Sequence, residues 1–417
     1  MERVDIGKDP ITTIAANEHN NSSKYLEMNE LQQGLQSTHI FSSSKMPCKR
    51  KTQTDTKVSK KFKTEKNSTD LCLHQDTRGL QDIHTFTSGQ SKVQSDHAEG
   101  LLIGDHETQE SEDGEADLHQ YFNCKKNPGH REFIPVYTFT LKHLPEGFQD
   151  NVLYDLIKAT ADLTVRVNVT ISSPRRPEFW PETTQPYPFS NMSKRSNLRT
   201  GSGRVRDVNK YQDGEIQGGG FGFNAYTKCW CRKCEVSDSP SNVWWEFDVS
   251  TATHVVFDDI EANHTTLRLF YDKYESEVVN VDKVSVVDVK IKYDSCCLKC
   301  VTCDKNVGNK LMEMFKNFKN SWGKVWNNYT DSRPKHKLTF IVSHPHGCSK
   351  QVSVGQWTYI RNMGRRCQLT YTTCTCPGSS GAYVHCLGCE DWTWSELVHS
   401  GSFKSGSNYS AVGYLFC

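Results

Sequence analysis

Three separate segments of this chain carry side chains that could together activate a serine. His254 follows Thr-Ala-Thr, Asp294 follows a tyrosine, and Ser380 lies in Cys-Pro-Gly-Ser-Ser-Gly-Ala. They occur in the order His, Asp, Ser, with spacings of 40 and 86 residues. A serine hydroxyl becomes nucleophilic when an imidazole takes its proton, and a buried carboxylate holds that imidazole in the required tautomer. The three residue types therefore predict a hydrolase that attacks through Ser380.

The loop around Ser380 has the composition of an oxyanion hole. Gly378 and Gly381 permit a tight backbone with positive φ, which turns amide groups inward. The N–H groups of Gly378 and Ser380 would then stabilise the developing oxyanion. An ordinary polar turn has the same composition, so this loop predicts a nucleophile only in combination with the other two segments.

The base and its carboxylate are each predicted at the end of an apolar segment. His254 follows the run Val243–Val249, and Asp294 follows another strand-like run. A histidine in such a position can equally be a core or surface residue. Asp288 is the fallback for the carboxylate, and Asp258 and Asp259 are weaker rivals.

Five segments, taken together, resemble the chymotrypsin-like serine proteases. Thr-Ala-Thr-His254 is similar to their Thr-Ala-Ala-His segment, and the Asp294 and Ser380 segments occupy the family's chain order. Residues 338–347 look like the strand and turn that open the second barrel in glutamyl-endopeptidase-type members, and residues 398–412 resemble their substrate-lining strand and closing turn. The resemblance covers residues 200–417 and implies a serine endopeptidase with a catalytic triad and a chymotrypsin-like double β-barrel.

The resemblance also implies where the substrate binds. His399, Ser400 and Gly401 match the family's substrate-lining strand. In the glutamyl-endopeptidase-type subgroup the matching histidine contacts an acidic side chain before the scissile bond. A preference for Glu or Asp at that position is therefore implied, with protein or peptide as the substrate and no cofactor required for catalysis.

The pattern along the chain divides it into three regions. Residues 1–125 are polar and poor in aromatics, which predicts a disordered tail that ends in an acidic run. Residues 131–188 predict a small strand-helix-strand accessory region followed by a Pro-rich linker from Ser173 to Pro188. Residues 200–417 predict short strands and turns, and hence a mainly β protease domain, with one amphipathic helix over Leu311–Trp326.

Charge and hydropathy narrow the range of partners. Lys and Arg number 50 against 49 Asp and Glu, so no net field predicts a nucleic-acid partner. The sequence shows no apolar run of about 20 residues, so we expect no membrane span. Without a recognisable secretory signal we expect an intracellular protein, cytoplasmic or nuclear. Basic residues over 49–63 match either a bipartite nuclear-import signal or a solvated stretch.

The 17 cysteines leave their chemistry open. Cys374, Cys376, Cys386 and Cys389 would give four thiolates from one hairpin, which suits tetrahedral zinc. Two further groups are Cys229-x-Cys231-x2-Cys234 and Cys296-Cys297-x2-Cys300-x2-Cys303. Cysteines that simply replace small apolar core residues would give the same counts. Structural zinc and a metal-free core therefore both remain open.

Two other functions are compatible with the same residues. One is a protease-like barrel with a misaligned triad that binds peptides or proteins, with or without structural zinc. The other is a zinc-stabilised nuclear interaction protein that uses the basic tail. A triad within hydrogen-bond reach favours the enzyme, whereas converging cysteine sulfurs favour a zinc scaffold.

Overall fold

The computed structural model describes residues 103–111, 118–192, 196–217, 226–332, 335–389 and 396–415. All of them lie in one compact unit, Val93–Cys417. The strands are β1 (Asp105–His106), β2 (Gln109–Ser111), β3 (Ile134–Pro135), β4 (Thr164–Ile171), β5 (Ser196–Gln212), β6 (Glu215–Gln217), β7 (Val243–Thr251), β8 (Thr265–Leu269), β9 (Val279–Val281), β10 (Val284–Lys290), β11 (Ser295–Thr302), β12 (Leu338–Ser343), β13 (Gln351–Met363), β14 (Arg366–Tyr371), β15 (Val384–Cys386), β16 (His399–Ser402) and β17 (Asn408–Ser410). The α-helices are α1 (Leu118–Phe122), α2 (Asn151–Leu163), α3 (Arg232–Glu235), α4 (Asp259–Ala262) and α5 (Lys305–Tyr329).

These strands form two antiparallel sheets, so the prediction of a mainly β fold is confirmed. The first sheet has the order β10-β11-β7-β5-β4-β8-β9, with β2 and β6 also paired to β5. The second has the order β1-β16-β17-β14-β13-β12-β15, with β3 paired to β13. A bridge between Tyr383 and Val398 joins the β15 side of the second sheet to the segment before β16. This second sheet therefore curls back on itself.

Two helices form where the apolar period predicts them. Asp150 caps α2 by accepting a hydrogen bond from the Leu153 amide, and the apolar face of this helix is buried. The amphipathic helix expected over Leu311–Trp326 is α5, which buries Leu311, Phe315 and Phe318. It lies in the chain between Asp294 and Ser380, and it packs against α2 and the first sheet.

Residues 131–188 are part of the main fold. The strand β4 lies between β5 and β8 in the first sheet, so the boundary expected at 200 falls inside that sheet. Its alternating apolar and polar residues predict burial on one face, but it is buried on both, because Arg166 and Asn168 are also covered. The segment expected as a Pro-rich linker is packed as well: it buries Trp180 and Tyr187.

Part of the predicted tail is ordered. Residues 103–111 form β1 and β2, which pair with β16 and β5, and residues 118–125 include α1. The prediction of disorder up to residue 125 is therefore wrong for these residues. These residues can be ordered despite their polar sequence, because main-chain pairing and buried polar contacts hold them in place of an apolar face. The basic stretch 49–63 lies outside the described residues.

Several predicted strands have different limits. The apolar run over residues 369–376 predicts a strand, but the strand formed there, β14, ends at Tyr371, so Cys374 and Cys376 lie in the following loop. Residues 411–416 likewise predict a closing strand, whereas the last strand among the described residues is Asn408–Ser410. Among the described residues, none of the helices combines the length and the apolar character needed to cross a membrane.

Candidate active site

The three predicted side chains form a continuous hydrogen-bonded line. His254 Nδ1 lies 2.8 Å from Asp294 Oδ2, and His254 Nε2 lies 2.8 Å from Ser380 Oγ. All three residues are buried, with Ser380 at 0% exposure. A hydroxyl, an imidazole and a carboxylate in this order can move a proton from the serine to the histidine.

The pairing of two neighbouring strands brings the histidine and the aspartate together. His254 lies in the turn after β7, and Asp294 directly precedes β11, which pairs with β7. The Asp294 backbone is left-handed, with φ of 55°, and its Oδ1 also accepts the His254 amide at 3.0 Å. Thr253 Oγ1 donates to the Ser295 carbonyl at 2.8 Å and fixes the same turn. These bonds hold the imidazole and the carboxylate in one rigid corner.

The other candidate aspartates have different partners. Asp288 forms an ion pair with Lys290 on β10. Asp258 caps α4 through the Glu261 amide, and Asp259 accepts from the Val286 amide. Of the four aspartates considered, Asp294 is the one that bonds to His254.

Asp294 is charged in this environment. Burial raises the pKa of a carboxyl group, but the neighbouring His254 and the hydroxyl of Ser400 lower it. The balance leaves the pKa of Asp294 below its ordinary value. An ionised carboxylate beside the histidine can stabilise the imidazolium that forms when Ser380 loses its proton.

The loop before Ser380 turns on two glycines. Gly378 and Gly381 have φ of 97° and 85°, and a Cβ on Gly378 would lie 2.4 Å from the His344 carbonyl oxygen. Ser202 holds the loop from the first sheet, because its hydroxyl donates to the Gly378 carbonyl at 2.8 Å and its amide donates to the Ser380 carbonyl at 2.7 Å. The amide of Gly378 donates to the carbonyl oxygen of Glu107 at 2.6 Å.

The residues Ile103–Ser111, which we call the cleft segment, pass directly over these groups. The ring centroid of His106 lies 4.5 Å from that of His254 and 5.0 Å from that of Trp180. Trp180 Nε1 donates to His106 Nε2 at 3.0 Å. Burial, followed by the nearby His254, lowers the pKa of His106 to about 3, so its imidazole is neutral at ordinary pH.

The side chain of Glu107 enters a pocket beside Ser380, which we call the Glu107 pocket. Its walls include His399, Lys126 and Tyr371. His399 Nε2 lies 2.7 Å from Glu107 Oε2, and Lys126 Nζ pairs with Glu107 Oε1. Tyr371 Oη in turn lies 2.7 Å from His399 Nδ1. Burial lowers the pKa of His399, although the nearby Glu107 acts to raise it. The pKa of Glu107 itself lies far below its ordinary value. Burial alone would raise the pKa of Glu107, and its bonds to His399 and Lys126 lower it. The pocket therefore holds a carboxylate.

The remaining two residues of the predicted substrate strand also face the cleft segment. Ser400 Oγ donates to Asp294, and the Ser400 carbonyl lies 3.4 Å from His106 Nδ1. Gly401 pairs with His106, and a Cβ on Gly401 would lie 2.1 Å from the Asp105 carbonyl oxygen. A glycine is needed there for β1 to approach β16.

Sequence reasoning missed Lys126, Glu107 and the cleft segment. Lys126 lies between α1 and a 3-10 turn, far from the protease-like motifs in the chain. The acidic run that begins at Glu107 was visible, but nothing in its composition indicates that it crosses a cleft. Main-chain pairing to two sheets gives no local sequence signal.

Two groups of buried cysteine and histidine side chains have the arrangement of metal ligands. One consists of Cys124, His130, His346 and Cys376, and the other of Cys229, Cys231, Cys234 and Cys303. The donor atoms within each group all lie within 4.8 Å of one another. The sulfurs of Cys124 and Cys376 are 3.6 Å apart, as are those of Cys231 and Cys303. Two sulfurs about 2.3 Å from a tetrahedral zinc would lie roughly 3.8 Å apart, so these donors fit the ion.

The predicted groupings differ from these two sets. Cys376 joins Cys124 and two histidines instead of Cys374, Cys386 and Cys389, because it lies on a loop and its sulfur faces the segment that follows α1. Cys386 and Cys389 belong to the core of the second sheet. Of the group at 296–303, only Cys303, which directly follows β11, joins the other cluster, since Cys296 and Cys300 are core residues of the first sheet.

Comparison with known proteins adds little to this geometry. No family model matches the chain, and no curated protein was found to be similar to it. Among solved structures the chain is similar to one described as the crystal structure of Deg5, with 11% sequence identity, a TM-score of 0.31, and coverage of 64% of this chain and 90% of that chain. A likeness this distant carries no argument about function, which we therefore base on the site itself.

Proposed function

We propose that this chain is a serine endopeptidase. Ser380 Oγ attacks the peptide carbonyl while His254 takes its proton, and Asp294 orients the imidazole and stabilises its cation. His254 then returns the proton to the leaving amine, and water hydrolyses the acyl-enzyme. The observation that supports this most is the line of two 2.8 Å contacts from Asp294 through His254 to Ser380.

We assign the oxyanion hole to the amides of Gly378 and Ser380. The Gly378 amide already donates to a carbonyl oxygen, that of Glu107, at 2.6 Å. A donor in this position stabilises the charge that develops on the substrate carbonyl, and the loss of one such donor typically reduces the rate about 100- to 1,000-fold.

We also propose that the enzyme cleaves after acidic residues. His399, Ser400 and Gly401 line the binding strand, and His399 together with Lys126 contacts a carboxylate in the Glu107 pocket. A neutral side chain of the same size would leave the half-buried ammonium of Lys126 without its counter-charge, which is costly. Glu is therefore the expected residue before the cut.

Labelling with a fluorophosphonate probe tests the nucleophile. Because the cleft segment covers Ser380, we would label both the wild-type chain and a Glu107→Arg variant, whose cation would be repelled by Lys126. We expect labelling in the Glu107→Arg background that disappears with Ser380→Ala and falls at least roughly 1,000-fold with His254→Ala. If neither folded background were labelled, the proposed activity would be wrong and the peptide-binding barrel would take its place.

We further propose that the two cysteine-containing clusters bind structural zinc. Each offers four buried or half-buried donors that surround one point. The ion would hold the segment of Cys124 and His130 against the loop that leads to Ser380, and it would take no part in the chemistry. Two zinc ions per chain are expected by mass spectrometry under native conditions, and the absence of bound metal in folded protein would contradict this.

A further inference from the structure

We propose that the cleft segment is the enzyme's own substrate, and that Ser380 cleaves the peptide bond between Glu107 and Thr108 in the same chain. This inference rests on the proposed endopeptidase function and adds a specific bond to it. The cleft segment would therefore be a self-processing site as well as a temporary cover over the triad.

The main chain of the cleft segment is bound on both sides of the triad. Before the proposed bond, β1 pairs antiparallel with β16, so that Asp105 lies opposite Ser402 and His106 opposite Gly401. After it, β2 pairs antiparallel with β5, where Gln109 lies opposite Thr200. An extended peptide that adds a strand to an open sheet edge is a common mode of peptide recognition. Here one segment does so with both sheets in turn and crosses the catalytic residues between them.

The carbonyl of Glu107 lies where the reacting carbonyl is expected. Its oxygen accepts the hydrogen bond of the Gly378 amide at 2.6 Å, which is the amide assigned to the oxyanion hole. The preceding side chain, His106, packs against His254 with the two rings tilted and 4.5 Å between their centroids. Glu107 therefore has its carbonyl against the hole and its neighbour against the base, as a bound substrate residue would.

The side chain of Glu107 is matched by the pocket it fills. Glu107 is 3% exposed; one of its carboxylate oxygens contacts His399 and the other pairs with Lys126. Lys126 is itself held by Asn408 Oδ1 at 2.7 Å and Thr375 Oγ1 at 3.0 Å. A buried carboxylate costs several kcal/mol unless it is paired, so these partners select an acidic residue here. Lys126 is thereby assigned as a specificity-determining residue of the same site.

The reaction at this bond balances with water alone. Ser380 Oγ bonds to the Glu107 carbonyl carbon, and its proton passes to His254. The bond from that carbon to the Thr108 nitrogen breaks, and His254 protonates the new amine. Water then hydrolyses the ester, which leaves a carboxylate on Glu107, a free amino terminus at Thr108 and the original Ser380.

Intact mass and amino-terminal sequencing of the purified chain test the proposal. The wild-type chain is expected to convert to residues 1–107 and 108–417, at a rate independent of protein concentration because substrate and enzyme are one chain. The Ser380→Ala chain should stay intact. Glu107→Gln removes the charge but keeps the size, and should slow the cut about 30-fold or more. Glu107→Asp should restore part of the rate, and Glu146→Gln, at an exposed carboxylate elsewhere, should be cut like the wild type.

The outcomes separate this inference from the proposed function. A wild-type chain that stays intact, or is cut at another bond, while Ser380 in Glu107→Arg still reacts with a fluorophosphonate, would overturn self-cleavage and leave the endopeptidase in place; the cleft segment would then be a permanent plug. Failure of both cutting and labelling would overturn the proposed function itself. Cutting that persists in the Ser380→Ala chain would mark a contaminating protease and would also overturn the inference.

Discussion

At the scale of single residues, the charge balance of the Glu107 pocket depends on Lys126. The pocket holds one carboxylate, and because burial lowers the pKa of His399, this imidazole contributes a hydrogen bond rather than a positive charge. Lys126 is then the cation that compensates Glu107. The ammonium, more than the imidazole, should set the preference for an acidic residue.

Replacing this lysine should therefore change the specificity more than the chemistry. For Lys126→Met we expect the ratio of kcat/KM for Glu against Gln peptides to fall roughly 30-fold or more, since the buried carboxylate of a Glu peptide then lacks its cation. Lys125→Met, at the exposed neighbouring lysine, is the matched control and should keep the wild-type ratio. An unchanged ratio in Lys126→Met would assign acid recognition to His399 alone.

A second prediction at this scale concerns the orientation of the base. In the Glu107→Arg background, Asp294→Asn removes the charge that holds the His254 tautomer and should slow fluorophosphonate labelling of Ser380 by about 10,000-fold. Asp288→Asn in the same background is the control, because Asp288 pairs with Lys290 near the surface and should have no effect on the rate. Equal rates with and without Asp294→Asn in this background would show that another group orients the imidazole.

The candidate triad could be predicted from the sequence because each of its residues lies in a short local motif. A histidine after Thr-Ala-Thr and a serine between glycines can be recognised without knowledge of their neighbours. Lys126 has no such signal, since only the fold brings it to residues nearly 300 positions away, such as Asn408. The proposed zinc ligands were predicted only in part for the same reason: Cys376 was identified, but its partners Cys124 and His346 are distant in the chain.

At the scale of elements, the segment around Cys124 connects a proposed zinc site to the Glu107 pocket. Lys126 lies between the ligands Cys124 and His130, and Cys376 precedes the oxyanion loop by two residues. Loss of this zinc should therefore displace both Lys126 and Gly378. One cluster would thus support specificity and catalysis together, although it takes no part in the reaction.

Removing one ligand of this cluster should test the connection between the proposed zinc site and the Glu107 pocket. Cys124→Ser is expected to lower the zinc content from two ions per chain to one, and to reduce the Glu preference as well as the labelling rate of Ser380. Cys374→Ser alters a cysteine next to the cluster that is not one of its four donors, and it should retain both ions. Full zinc content in Cys124→Ser would remove Cys124 from the site.

The long helix α5 stabilises the fold from outside the site. Phe318 is 1% exposed, and its ring lies against Arg204 of β5. Phe318→Ala should lower the free energy of unfolding by about 3–5 kcal/mol in denaturant titration. Lys316→Ala, on the exposed face two residues away, should change it by less than about 0.5 kcal/mol. A loss below about 1 kcal/mol in Phe318→Ala would mean that this helix is not part of the cooperative core.

Helices were easier to predict than the strands that complete the site. Apolar residues that recur every three or four positions predicted α5, and the helix expected in the region 131–188 is α2. The short strands β1 and β2 have no such pattern, because their stability comes from main-chain bonds to β16 and β5. Polar composition predicted disorder for residues whose order depends on a groove built by distant parts of the chain.

At the scale of the whole molecule, we expect His106 to couple two states of the cleft segment to pH: the covered state of this structure and an open state in which the segment is released. In the covered state His106 is enclosed by His254, Asp294 and His399 from the two sheets and by Trp180, which donates to its Nε2. Burial and the nearby His254 lower its pKa to about 3, an effect that the Asp294 carboxylate opposes without cancelling. In the released segment the pKa would return to about 6.5. The open state therefore binds one more proton than the covered state between these two values.

Acidification should consequently release the cleft segment. Below pH 6.5 the equilibrium constant for docking is expected to fall about tenfold per pH unit, because the open state gains a proton that the covered state excludes. Glu107 stays ionised in both states above pH of about 4.5, so it does not offset this change between pH 6.5 and 5. Hydrogen exchange of the amides of residues 103–111 in the uncleavable Ser380→Ala chain, corrected for intrinsic rates, would measure the shift. His106→Phe keeps a ring against Trp180 but has no proton to gain, so its protection should stay constant, and equal pH dependence in both chains would assign the effect to another group.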